Sequence, residues 1–102
     1  MLEQVERWRI AAAEWLDAQE AADLLRECKN DTFAEIVDQQ DGSTNAEKER
    51  QARLSPEWKE YRTKMIDAES HARRLRLRVN YQKMRFEAMR SENANARTER
   101  TA

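Results

Sequence analysis

The stretch from Ser55 to Met89, SPEWKEYRTKMIDAESHARRLRLRVNYQKMRFEAM, decides the fold. Counting from the residue before it, Leu54, Trp58, Tyr61, Met65, Ala68, Ala72, Leu75, Val79, Gln82, Phe86 and Met89 recur in alternating steps of four and three. Gln82 is the polar member of this series. A 3.5-residue repeat held over five heptads is the pattern of an α-helix that winds against another helix. Its start is written just as clearly: Ser55 can accept from a free backbone N–H, Pro56 loses nothing at a first helical position, and Glu57 suits the positive end of the helix dipole. A long helix over 55–95 is expected, with Pro56 either breaking or kinking the chain.

Upstream, the segment 38–45, DQQDGSTN, holds no apolar residue and contains Gly42, the single glycine of the chain. It reads as the main turn, with Gly42 placed where a left-handed backbone is least costly. Thr44 and Glu47 follow at capping-box spacing, so a short helix over 45–53 should begin there. Before the turn, Val5, Trp8, Ala12, Trp15, Ala22, Leu25 and Ile36 recur with helical periodicity, which predicts a first helix over about 2–37.

The charges support a pairing of the two long helices. Residues 1–42 carry eleven acids and four bases, and residues 43–102 carry nine acids and fifteen bases. Two helices of matched reach joined by a short polar turn cover their apolar seams most simply by folding back on each other. The expected architecture is therefore all-α: a single antiparallel helical hairpin domain over 1–95 with a turn at 38–44, and a frayed or disordered tail over 96–102. In that arrangement Arg76, Lys83 and Arg90 fall on one flank of the seam and Arg78 and Arg85 on the other, beside the acidic first helix. A second stripe, Leu77, Tyr81, Met84 and Ala88, lies on the far side of the long helix, and Ile10, Ala13, Ala21 and Leu24 form one on the first. Because so short a chain buries little apolar surface, these stripes predict a homodimer, a four-helix bundle or coiled coil, with Leu77, Tyr81, Met84, Ile10 and Leu24 at the interface.

Composition narrows the classes further. With 38% charged residues, one glycine, one proline and one cysteine in 102 residues, neither a many-turned β fold nor a disulfide framework is available. No run approaches the roughly 18 apolar residues of a membrane span, and the charged N-terminus does not read as a signal peptide, so a cytoplasmic location is expected. The chain has no Gly-rich phosphate loop and no Cys or His pair at metal-ligand spacing. Cys28 and His71 read as a half-buried thiol and a solvent-side imidazole. Neither an enzyme nor a cofactor, metal or small-molecule substrate is expected. Trp8, Trp15 and Trp58 fall on the seams and read as packing residues, Trp15 and Trp58 being also the two that could anchor a partner.

What remains is the basic stretch 73–90, with seven bases against the single acid Glu87 and with Tyr81 and Phe86 interleaved. Arg73, Arg74, Arg76, Arg78, Lys83, Arg85 and Arg90 are the candidate contacts to nucleic acid or an acidic partner. The competing reading is that the acidic helix neutralises the flank bases, leaving Arg73 and Arg74 as the outward charges. The stretch lies within the heptads and lacks the zipper-type basic-region pattern, which disfavours sequence-specific groove reading.

The turn DGSTNAEKERQARLS at 41–55, the start SPEWKEY at 55–61 and the closing MRFEAMRSENANARTER at 84–100 resemble a group of small helical proteins encoded by tailed bacteriophages and prophages near genes for single-strand annealing and recombination. The resemblance covers most of residues 38–100. It implies a non-enzymatic accessory protein of phage DNA recombination or replication, acting in a bacterial cytoplasm through DNA or a protein of DNA metabolism, with no catalytic residue to carry over. An inhibitor of a host nuclease or defence complex and a purely structural helical assembly protein are the alternatives.

Overall fold

A computed structural model describes residues 2–101 as four helices: α1 Leu2–Glu27, α2 Lys29–Asp38, α3 Asn45–Leu54 and α4 Pro56–Thr101. The fold is all-α, and α4 packs antiparallel to α1. The chain divides into two compact units, one of Met1–Ala18 with His71–Ala102 and the other of Gln19–Ser70.

In the first unit, residue numbers run in opposite senses along the two helices: Trp8 meets Phe86, Glu14 meets Arg78 and Trp15 meets Arg76. The α4 side of this seam is the one read from the heptads, with Ala72 and Leu75 buried and Val79, Gln82, Phe86 and Met89 half-buried. On α1 the seam runs through Gln4, Trp8, Ala11, Trp15 and Ala18. Val5, expected on it, is 41% exposed, and Gln4 takes its place at 2% exposed. The physical reason is a polar pair. Gln4 Nε2 donates to Gln82 Oε1 at 2.6 Å and to the Gln82 carbonyl at 3.2 Å, so the two glutamines satisfy each other where either alone would be a costly burial.

The second unit is built around Ile36, Ala52 and Trp58, with Phe33, Val37 and Tyr61 packed against them. Trp58 lies 4.8 Å from Phe33, tilted, and 5.8 Å from Tyr61, stacked, between ring centroids, which are separations at which aromatic pairs add to simple burial. The helix expected over 2–37 is interrupted at Cys28. The Leu25 carbonyl, which an unbroken helix would pair with the Lys29 N–H, accepts the Tyr61 hydroxyl instead. That exchange is tertiary, so no local propensity announces it.

Thr44 caps α3 by accepting from the Glu47 N–H at 3.2 Å, as its spacing predicts. The returning Glu47 carboxylate reaches one residue further than a capping box requires, to the Ser43 N–H and hydroxyl. Gly42 does not adopt a left-handed conformation. It is needed for proximity: a Cβ there would stand 2.9 Å from the Lys48 backbone nitrogen. Ser55 is extended, ends α3, and caps α4 by accepting from the Trp58 N–H at 3.2 Å while donating to the Ala52 carbonyl at 2.6 Å. Pro56 therefore begins a new helix. Leu54, expected at the head of the seam, is 79% exposed because the chain turns at Ser55 before the seam begins.

α4 continues through Thr101, beyond the expected helix end at 95. Ala94, Ala96, Arg97 and Glu99 are good helix formers, no Gly or Pro interrupts them, and extending an existing helix avoids the cost of nucleation. Ala102, the last residue of the expected tail, lies outside the described residues.

Candidate nucleic-acid interface

Seven basic side chains project from α4 between Arg73 and Arg90, and all are exposed. Of the bases on the seam flanks, Arg78 meets an acid of α1. Arg78 lies 3.4 Å from Glu14, a contact between exposed groups on matching flanks of the two helices. Arg76 is held over the Trp15 ring at 5.9 Å and Arg85 over Tyr81 at 6.0 Å, both cation–π distances that leave the positive charge uncompensated. Among the described residues no acid stands within ion-pair reach of Arg74, Lys83 or Arg90. Part of the reason lies on α1, where Glu3 pairs with Arg7 and Glu6 with Arg9 within their own helix. The Arg9 hydrogen bond holds the Glu6 carboxyl below its ordinary range, and Glu6 in turn raises Arg9.

The apolar stripe read on this segment is exposed as well. Leu77 is 69% and Met84 65% exposed, Tyr81 and Ala88 are open to solvent, and Ile10 and Leu24 on α1 are exposed. On α4 the stripe lies on the face away from the seam; Arg74 shares that face, three residues from Leu77 and seven from Tyr81, and Arg78 and Arg85 border it, whereas Arg76, Lys83 and Arg90 border the seam.

The unit of Met1–Ala18 with His71–Ala102 holds eleven bases and seven acids, and the unit of Gln19–Ser70 holds eight bases and thirteen acids. In the second unit Arg26 reaches Glu69, its Nε donating at 3.1 Å, and the Glu69 carboxylate raises the arginine above its ordinary value.

The remaining candidates offer less chemistry. His71 is exposed, and Cys28, expected half-buried, is exposed because the α1–α2 junction carries it off the buried face. No group of three or more His, Cys, Asp or Glu side chains able to hold a metal occurs among the described residues. No described helix is long and apolar enough to cross a membrane. Trp58 is buried, whereas Trp8 and Trp15 are half-buried, and the Trp15 Nε1–H is buried without a partner. No protein family, curated protein or solved structure matches the chain.

Proposed function

We propose that the protein is a non-enzymatic, self-associating helical module that binds nucleic acid through α4, as an accessory protein of phage-type DNA recombination or replication. The observation that carries this reading is Arg74, exposed and without an acidic partner among the described residues, on the same open face as Leu77, Tyr81 and Met84. Arg85 is held over the Tyr81 ring, and Lys83 and Arg90, likewise without an acidic partner among the described residues, add positive charge along the seam flank. Phosphate contacts by such bases draw their free energy from counterion release, and an exposed tyrosine flanked by arginine supplies a face on which an unpaired base can stack. A second copy offering the same surface would fit badly. Arg74, Arg78 and Arg85, on or beside that face, would meet their own kind, and like-charge juxtaposition is penalised. An anionic partner suits the surface better.

The test is binding of a labelled single-stranded oligonucleotide and of its duplex across a salt series. Binding at about 50 mM salt should weaken steeply as salt rises, with a log–log slope of roughly −0.7 per phosphate contact on single strands. The triple variant Arg74→Glu, Lys83→Glu, Arg90→Glu should lose binding and flatten that slope with its helicity intact. No binding at low salt refutes the reading. Tight capture of a host nuclease by the DNA-free protein would favour the inhibitor alternative in its place.

A further inference from the structure

Two adjoining concavities of about 390 and 380 Å3 lie in the Gln19–Ser70 unit, between α2, the α3–α4 junction and the first turns of α4. They share Arg53, Trp58 and Arg62, and Lys29 and Lys59 complete a rim of four bases with no acid in the lining. This runs against the charge of the unit, in which acids outnumber bases thirteen to eight. Among the described residues none of the four bases belongs to an ion pair. The outer concavity also carries Leu54 and Ile66, two large aliphatic side chains that are mostly exposed.

These features specify an occupant. Trp58 is buried and the Arg53 guanidinium lies over Phe33 at 5.9 Å, so the groove presents little open aromatic face on which a nucleobase could stack. Exposed aliphatics inside a ring of uncompensated bases fit an acidic helix with an apolar side chain at its centre. α1 carries such a face. Glu20, Asp23, Leu24 and Glu27 stand at the i, i+3, i+4, i+7 spacing that places them together, and all four are exposed. We propose that the groove receives this face of α1 from a second copy of the chain, with Leu24 seated against Leu54 and Ile66 and its acids against Arg53, Lys59 and Arg62. Each copy holds both the groove and the acidic face, so the contact either closes as a two-fold pair or continues from copy to copy. The inference is independent of nucleic-acid binding by α4.

Sedimentation velocity of the full chain tests it. Self-association should be present at about 50 mM salt and weaken by roughly tenfold or more at about 500 mM, since rim charges are screened. Glu20→Lys with Glu27→Lys should be monomeric, Arg53→Glu with Arg62→Glu should be monomeric, and an equimolar mixture of the two should associate again through the matched pair of swapped surfaces. Leu77→Ser with Met84→Ser should associate like the parent chain. Circular dichroism verifies folding; if the arginine variant loses helicity, the α1 variant decides the question. A monomeric parent chain overturns the proposal, as does association that survives the Glu20 and Glu27 reversals or that disappears with Leu77 and Met84. Monomeric protein that captures an acidic peptide or an oligonucleotide in the groove overturns it too.

Discussion

Replacing both Gln4 and Gln82 by leucine should make the protein more stable and less particular about how α1 and α4 align. Gln4 is 2% exposed and Gln82 half-buried, and their amides are joined at 2.6 Å. Removing that bond costs about 1 kcal/mol net. A leucine fully buried at position 4 gains about 1.5–3 kcal/mol, and one half-buried at position 82 gains roughly half as much. The double variant should therefore exceed the parent by about 1–3 kcal/mol after the lost hydrogen bond is subtracted. Gln82→Leu alone behaves differently, because Gln4 stays buried with only the 3.2 Å bond to the residue 82 carbonyl, and an under-satisfied buried amide costs about 1–3 kcal/mol. The four-member cycle, measured by urea unfolding, should show a coupling of about 1 kcal/mol. Slipping the helices by one heptad would set Gln4 against Leu75 or Met89 in place of Gln82, a penalty that the leucines abolish. The amide NMR spectrum of the double variant should accordingly show additional peaks from a second alignment. A double variant weaker than the parent, or one no more stable than Gln82→Leu alone, would refute this account.

Three further outcomes are expected. Ser55→Ala removes the hydroxyl that caps α4 and ties it to α3, and should lower stability by about 0.5–2 kcal/mol in the same urea assay. Trp15→Phe deletes a buried donor that has no partner, and the relief of about 1–3 kcal/mol should largely offset the lost packing, leaving the variant within about 1 kcal/mol of the parent. The Glu6 carboxyl is held below its ordinary value by Arg9. Its contribution is present above the unfolded glutamate pKa and is lost as pH falls through the folded value. NMR titration should show Glu6 protonating at lower pH than free glutamate, and Arg9→Ala should return it to the ordinary range.

The long helix was legible because its seam is strict. From Trp58 to Met89 every position of the four-three series is buried or half-buried, and Gln82 kept its place among the apolar members although it is polar. The corresponding residue on α1 escaped notice for the same chemical reason: Gln4 looks like a surface side chain until Gln82 stands opposite it. The break after Leu54 is written in Ser55, Pro56 and Glu57, whereas the break at Cys28 depends on where Tyr61 makes its hydrogen bond, and helical periodicity carries no record of it. The role of Gly42 is likewise set by the approach of Lys48. Among binding features, the basic run on α4 could be read directly as a run. The groove beside Trp58 could not, since Lys29, Arg53 and Arg62 come from three helices and lie among acids in the chain.

The buried seam between α1 and α4 is one side chain deep, and several of its innermost members are alanines, Ala11, Ala22 and Ala72. So thin an interior leaves a small margin of folding free energy, of the same order as one good docking contact. Conformational stability and complex formation are then linked by mass action, and whatever occupies the outer faces of these helices raises the temperature at which they melt.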